Sequence, residues 1–279
     1  VCDTEGDKME GYESFQNINA FSISDSFTHA AVSLDKGGIL LIYGFPNLLE
    51  CSTKHMKMIY LPKIMNKERE AHITNLDFSE ILLKNEMKRV LYATTANSIY
   101  YYEWKLDNDK HSNAENKIKL VELSQDGKGA YSGCVAVKGK SLLMGSSYDD
   151  FIEEFDNLEF GKTWFFDGKK TIVNYYKDYI LFVIIGATES SFQIYDKKNN
   201  FFAFYEVGTR KVTGICSDKN YLYALYEESQ NKKFIAKMKE IENEEKFKIF
   251  FNKKLFDTAS IYAENLGFDR SKICEIAQK

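Results

Sequence analysis

The 279 residues suffice for one large domain or two smaller ones, and an apolar content of 44% suffices for a buried core. The net charge of −4, with Lys and Arg spread along the chain, argues against a nucleic-acid-binding protein, which usually carries a positive surplus. No apolar run approaches the roughly 20 residues that cross a bilayer. The longest run, Tyr179–Ala187, has the length of a buried strand.

Aromatic residues, mainly 21 Phe and 18 Tyr, make up 15% of the chain. These side chains favour strands, because they fit a pleated and half-buried surface. One pattern recurs along the sequence: a short strand, a polar turn and a stronger strand with aromatics. The five occurrences are Ile18–Gly44, Ile73–Trp104, Tyr131–Ser146, Thr171–Ile185 and Lys211–Glu227.

The last three units begin about 40 residues apart, a spacing typical of β-propeller blades. Lys36–Gly38 and Asp167–Gly168 are hairpin-turn signals, and Phe192–Val207 is typical of two strands around a polar turn. A four-stranded sheet cannot cover both faces alone, whereas radial stacking buries them. We therefore expect a mainly β fold, an incomplete propeller that is part of a seven-bladed ring with blades upstream of Val1; a five-bladed ring is the alternative blade count. A β-sandwich is the alternative, although it does not explain the period.

The C-terminal part changes character. We expect Phe234–Asn252 to form a strand, a charged turn and another strand that closes the last blade. A helix should then follow, because apolar residues recur at helical spacing; they are Leu255, Phe256, Ala259, Tyr262, Ala263 and Leu266.

Gly267 stands where a helix commonly ends in the left-handed conformation. Asp269 can cap a second helix whose apolar side is Ile273, Ile276 and Ala277. This predicts propeller blades over residues 1–252 and a helical hairpin over 253–279. We expect the hairpin to begin an α-solenoid, with further chain after Lys279.

The segment Phe247–Asp269 resembles the junction between propeller and solenoid in the vacuolar protein sorting-associated protein 11 family. That junction runs Lys-Lys-Asn-Leu-Phe, then Ala, then Leu-Ala. Here Lys253–Phe256 matches without the Asn, Ala259 matches, and Tyr262-Ala263 replaces Leu-Ala. The strand pairs within Phe192–Val207 and Thr171–Ile184 resemble the family's late blades, while the likeness is thin before about residue 165.

The resemblance implies a scaffold subunit of a HOPS- or CORVET-type complex, which tethers endosomal, lysosomal or vacuolar membranes before fusion. The implied partners are the other subunits of that complex and, indirectly, SNAREs and Rab GTPases. The implied location is the cytosolic face of late endosome, lysosome or vacuole membranes, reached through partners. Five scattered cysteines without a CxxC pair, and no Asn-x-Ser/Thr sequon, fit a reducing, cytosolic compartment.

Two short segments invite a chemical interpretation. Phe160–Trp164 contains Gly-Lys-Thr, but Asp156 stands where a phosphate-binding loop needs glycine, so we interpret it as a turn before a strand. Tyr148–Asp156 clusters five acidic residues without the spacing of a calcium loop. We interpret it as an amphipathic insertion with a solvated acidic face, or else a docking site for a basic partner.

No catalytic, metal or cofactor site is expected. Asp107–Lys117 is typical of a polar inter-strand loop. The four histidines lack metal-type spacing, and Cys134 and Cys216 are expected to be small buried residues of strands. Exposed aromatic residues on the propeller rim are expected to anchor partners.

The alternative function is a propeller enzyme, lactonase- or glycosidase-like, with carboxylates or a metal at the central channel. It leaves the helical tail unexplained. A bound divalent metal in the purified protein would favour it.

Overall fold

The computed structural model describes residues 18–25, 27–34, 37–43, 56–61, 72–83, 86–105, 119–123, 128–146, 150–186, 188–228 and 232–278. Within these ranges, nineteen strands form five antiparallel sheets, and three helices follow at the C-terminal end. The chain divides into two compact units, Val1–Asp167 and Gly168–Lys279. The mainly β class is confirmed, and each predicted repeat falls in its own sheet.

The first unit holds three sheets, each made of strands that are consecutive in sequence. The first sheet is β1 (Phe21–Ile23), β2 (His29–Ser33), β3 (Gly38–Tyr43) and β4 (Met56–Tyr60). The second is β5 (Ile73–Leu83), β6 (Glu86–Thr95), β7 (Ile99–Lys105) and β8 (Lys119–Glu122). The third is β9 (Val135–Lys138), β10 (Ser141–Gly145), β11 (Phe151–Asp156) and β12 (Glu159–Phe165).

Within this unit, β5 lies next to β1 of the preceding sheet and next to β9 of the following sheet. Leading strands that neighbour one another are typical of propeller blades. Tyr100 and Tyr102 are buried between the first two sheets, beside Ile39 and Leu91.

The second unit holds two sheets and the helices. The fourth sheet is β13 (Lys170–Tyr176), β14 (Tyr179–Ile185), β15 (Ser190–Asp196) and β16 (Phe201–Gly208). The fifth has three strands, β17 (Lys211–Ser217), β18 (Tyr221–Glu227) and β19 (Lys233–Lys239). The helices are α1 (Asn243–Asn252), α2 (Phe256–Asn265) and α3 (Arg270–Gln278).

The two sheets of the second unit pack face to face. Leu181, Val183 and Phe192 of the fourth sheet meet Leu222 and Tyr226 of the fifth in one buried cluster. The apolar run that begins at Tyr179 is therefore a buried strand, as predicted. Because β18 alternates between buried and half-buried positions, only one of its faces is fully covered.

The prediction of a strand after Asn243 is wrong. Residues 243–252 form α1, so the fifth sheet has three strands in the described ranges, and the helical part begins ten residues before the predicted boundary. The reason is periodicity: Phe247, Phe250 and Phe251 lie at helical spacing and share one face, which packs on α2, α3 and Phe201. The division into blades over 1–252 and solenoid over 253–279 otherwise stays a prediction.

The second and third helices agree with the sequence. Gly267 follows α2 with φ +67°, and the Asp269 carboxylate accepts a hydrogen bond from the Lys272 amide at 2.7 Å, which caps α3. Ala259 and Tyr262 are buried as expected, whereas Leu255 and Phe256 at the start of the stripe are exposed. Both α2 and α3 pack on α1.

Gly168 shows why that turn needs glycine. Its φ of +100° is unfavourable for other residues, and a Cβ there would lie 2.6 Å from the Ile184 side chain. The turn joins the third sheet to the fourth, however, and does not close a hairpin. Gly37, with φ +73°, does lie in the predicted hairpin between β2 and β3, while Lys36 falls outside the described residues.

Candidate protein-interaction surface

An exposed aromatic strip lies along β16, the edge strand of the fourth sheet. Phe202 is 48% exposed, Tyr205 61% and Val207 46%. We call these three residues the β16 strip. The Phe202 ring makes edge-to-face contacts with Tyr195 at 5.4 Å and with Tyr205 at 6.1 Å. Since the rings support one another, little side-chain freedom remains to be lost when a partner covers them.

A β-bulge explains why Phe202 and Tyr205 are both exposed. The register between β15 and β16 shifts at Ile194 and Tyr195, so strict alternation breaks between Phe202 and Phe204. Phe204 turns inward and packs on Phe192 at 5.6 Å. Large exposed aromatic residues at such a position are the side chains that most often dominate protein–protein binding.

A cavity of about 220 Å³ adjoins the strip at Val207. It lies between the fourth and fifth sheets and is lined by Ser190, Phe192, Glu206, Val207, Gly208, Thr209, Arg210, Val212 and Tyr226. The volume fits one or two side chains of a partner. Its wall combines apolar rings with a small number of polar groups, as binding clefts commonly do.

The polar groups of the cavity are held in fixed positions. The Tyr226 hydroxyl donates to Glu206 Oε2 at 2.6 Å, and Ser190 Oγ donates to the Arg210 carbonyl at 2.5 Å. Burial, followed by the hydrogen bond to Glu206, raises the pKa of Tyr226, so its phenol stays protonated at neutral pH. Glu206 and Tyr226 are thus arranged for hydrogen bonding and not for nucleophilic attack.

Arg210 connects the cavity to the fifth sheet. Its guanidinium lies 5.4 Å from the Phe234 ring centroid and pairs with Glu228 at 3.0 Å. Phe234 in turn stacks on Tyr226, with ring centroids 5.1 Å apart and planes within 3°. The β16 strip, the cavity and β19 therefore form one continuous surface.

A polar clasp fixes α1 to the fourth sheet. Glu240 follows β19 and accepts hydrogen bonds from Tyr179 at 2.5 Å, Lys177 at 2.6 Å and Lys246. Lys246 also donates to the Tyr179 hydroxyl at 2.8 Å. Burial alone would raise the pKa of Glu240, but the three donors outweigh it and lower the pKa to about 2.

The other end of the helical part is tied to the turn between β15 and β16. Asn265 donates to Asn199 at 2.7 Å, and Phe201 contacts Phe250 at 4.8 Å and Tyr262 at 6.2 Å, edge to face. Both α1 and α2 therefore contact the fourth sheet, α1 through Lys246 and Phe250 and α2 through Tyr262 and Asn265. Any protein bound to the β16 strip would approach beside them.

The family model for the PEP5/VPS11 N-terminal region matches residues 8–234, which is most of the chain. The chain belongs to the PEP5/VPS11 N-terminal family. This confirms the resemblance and extends it upstream, since the match includes the first sheets where the sequence likeness was thin. The helices lie beyond the matched range.

Solved structures support the fold of this PEP5/VPS11 member. BBS1N, crystallised in complex with ARL6DN and soaked with lead, is similar with a TM-score of 0.50 and 11% identity over 80% of this chain. The chain spans 66% of that chain's length. At this identity the match shows a propeller-like fold and nothing of function, and 584 solved chains match in all. No curated protein sequence matches significantly.

The interpretation of the acidic segment is wrong. Residues 151–156 form β11, and Glu153 and Glu154 are buried within its sheet, so the segment is no insertion with a solvated face. The strand forms because Phe151, Ile152 and Phe155 are buried against β10 and β12. Tyr148 and Asp149 lie outside the described residues.

The Gly-Lys-Thr segment belongs to β12, and the turn before it is Asn157–Leu158. The predicted turn at Phe160–Trp164 therefore lies a few residues after the turn in the structure. Cys134 is buried as expected, directly before β9, but Cys216 on β17 is exposed. Asp107–Lys117 lies outside the described residues.

Within the described ranges, no group of three or more His, Cys, Asp or Glu side chains could hold a metal ion. In the same ranges, no helix combines the length and apolar character needed to cross a bilayer. His29 is packed instead into a structural cluster, where Arg89 bonds its ring and reaches Thr28 at 3.1 Å and Glu80 at 2.6 Å. Burial, followed by the Arg89 charge, lowers the pKa of His29 to about 3.

Sequence reasoning missed the residues of the surface. It expected exposed aromatics without naming them, because the bulge that exposes Phe202 depends on strand register. The sequence did not single out Glu240, because two of its three donors, Lys177 and Tyr179, lie 63 and 61 residues away. The three spaced lysines of β19 were the available sequence signal that this strand lies at the edge of a sheet.

Proposed function

We propose that this chain is the propeller part and first helices of a scaffold subunit in a membrane-tethering complex of the HOPS or CORVET type. Membership of the PEP5/VPS11 N-terminal family carries the proposal. The family name denotes a vacuolar sorting subunit, which fits a role in assembly. In this role the chain acts by holding partners in a fixed arrangement and performs no catalysis.

The surface described above supports this role. The β16 strip presents two ordered aromatic side chains and an aliphatic one beside a cavity that can take partner side chains. Aromatic anchors that insert into or beside a pocket commonly supply most of the free energy of protein–protein binding. BBS1N, which has a related fold, was crystallised in complex with ARL6DN, so a protein of this architecture does engage a partner.

We also propose that the five sheets belong to a larger, seven-bladed ring and that α1–α3 begin an α-solenoid. The exposed Phe21 and Ile23 on β1 fit an additional blade packed on the first sheet. The packing of α2 and α3 on α1 fits the first layer of a helical stack. The proposed location is the cytosolic face of endosomal, lysosomal or vacuolar membranes, reached through partner subunits.

Affinity purification of the intact protein from its own cells tests the proposal. The account expects other tethering subunits to copurify, identified by mass spectrometry. The double variant Phe202→Ala with Tyr205→Ala should reduce their recovery severalfold. The control is Phe160→Ala with Phe165→Ala, which removes two aromatics that are at least as exposed from the edge strand β12. Copurification of no sorting or tethering subunit with the wild type would refute the proposal.

A further inference from the structure

Among the described strands, the fifth sheet ends on β19, which has a neighbouring strand on one side only. In the described residues the other four sheets each have four strands, whereas the fifth has three and nothing pairs with the far side of β19. Directly after β19 the chain turns away, because the clasp at Glu240 holds α1 against Tyr179 of the fourth sheet. The residues that could have formed a fourth strand are thereby kept as a helix elsewhere.

Side chains on both faces of β19 are exposed. Ile235 is 68% exposed, and Phe234 is also exposed at the border of the cavity. An edge strand offers a row of free backbone donors and acceptors to any strand that fits beside it. Strand addition of this kind is a common mode of peptide recognition.

The charges on β19 determine which kind of partner strand can pair with it favourably. Lys233, Lys237 and Lys239 share one face of the strand with Ile235, since side chains alternate. All three lysines are exposed, and the Lys237 ammonium is held over the Tyr221 ring, 3.7 Å from its centroid. Opposite charges across a strand pair are favourable and like charges directly opposite are unfavourable.

We propose that β19 binds an extended acidic segment of a partner protein, which adds as the fourth strand of the fifth sheet. Acidic residues at alternate positions of the added strand would lie on the same face as the lysines. Lysines on edge strands often serve only to prevent association. Here they also exclude a second copy of this chain, whose own lysines would lie opposite, and leave an acidic strand as the compatible occupant.

This inference rests on the proposed function, because it names the chemistry of one partner of a scaffold. It is tested separately with the purified full chain and a fluorescent peptide of about ten residues that alternates Glu and Val. We expect saturable binding that weakens with salt. N-methylation of alternate peptide amides should weaken binding by about tenfold or more, because it removes the ladder hydrogen bonds.

The matching variant carries Lys233→Glu, Lys237→Glu and Lys239→Glu. It should lose at least about tenfold in affinity for the acidic peptide and should bind a Lys–Val peptide instead. The control carries the same charge change away from β19, at Lys162, Lys253 and Lys254, which are all exposed, and should bind like the wild type. Circular dichroism verifies that both variants are folded.

Amide hydrogen exchange identifies the binding mode. Exchange of residues 233–239 should slow when the Glu–Val peptide is added. Unchanged exchange, equal binding by the Lys→Glu variant, or absence of binding would overturn the proposal. Strong protection of these amides in the free chain would show that the edge is occupied from within, and would equally overturn it. None of these results bears on which subunits copurify with the intact protein.

Discussion

The Tyr179 hydroxyl donates a hydrogen bond to Oε1 of Glu240 at 2.5 Å, which joins the start of β14 to the residue that follows β19. Lys177 and Lys246 bind the same carboxylate from either side. The bond thus fixes the point at which the sheets give way to helices. Among the described strands, β19 is the edge of its sheet.

Glu240→Gln should destabilise the second unit by about 1–3 kcal/mol, because the buried Lys246 loses its counter-charge. The folded pKa of about 2 is below the ordinary value of 4.5, so the stabilisation is complete above pH 4.5 and is lost as the pH falls towards 2. Urea unfolding at several pH values measures this. The variant should show a smaller loss of stability below pH 4.5 than the wild type.

The control for this substitution is Glu242→Gln, which removes an exposed carboxylate two residues away. It should leave both the free energy of unfolding and its pH dependence close to the wild type. If the two variants behave alike, the clasp contributes nothing to the junction.

Phe201→Ala should loosen the helices from the fourth sheet. The ring lies between β16 and the helices, 4.8 Å from Phe250, so its removal leaves a gap at that contact. A cost of about 2 kcal/mol is expected for a half-buried aromatic ring. Limited proteolysis should then cut faster between α1 and α2. Phe202→Ala, which removes the exposed neighbouring ring, is the matched comparison and should not change the cleavage rate.

Asp77 gives a pH dependence of the opposite sign. Burial raises the pKa of its carboxyl from 3.8 to about 7. The folded state therefore binds its proton more tightly than the unfolded state, and stability falls as the pH rises from about 4 to about 7. Asp77→Asn should remove this fall and raise the free energy of unfolding at pH 8 by about 1–2 kcal/mol.

The exposed Asp178→Asn is the corresponding control and should keep the wild-type profile. An NMR titration of the Asp77 carboxyl gives the midpoint directly. A midpoint near 4 would show that the carboxyl is well solvated, contrary to the packing of β5 against β6.

Leu158 occupies a turn position that suits glycine. Asn157 and Leu158 connect β11 to β12 with φ of +53° and +67°, the arrangement of a tight hairpin turn. Leu158→Gly should raise the free energy of unfolding by about 0.5–1 kcal/mol, because glycine adopts positive φ without strain. Leu158→Ala keeps the strain and loses packing, so thermal unfolding should rank the three proteins Gly above Leu above Ala.

The sequence predicted the sheets well because period and turn chemistry are local properties. Each of the five repeats became a sheet, and Gly267 and Asp269 marked the helix boundary correctly. The strand prediction for Lys246–Asn252 was wrong because its phenylalanines satisfy a strand pattern and a helical pattern almost equally over seven residues. Packing against Phe201 and α2, which the local pattern does not contain, decides for the helix.

The sequence predicted that the interaction surface would contain exposed aromatic residues, but it did not identify those residues. The exposure of Tyr205 depends on a bulge, and the path of the chain after β19 involves the Tyr179–Glu240 bond, whose partners are 61 residues apart. Glu153 and Glu154 show the converse: an acidic run that resembled a solvated face is buried in β11, because its apolar neighbours place it in a sheet.

Membrane clustering in cell extract tests the proposed tethering role most directly. Endosomal or vacuolar membranes are mixed with extract from which the intact protein has been removed by antibody, and clustering is followed by light scattering. We predict that removal abolishes clustering and that adding back the purified complex containing the protein restores it. Clustering that proceeds at the normal rate in the depleted extract would contradict the account.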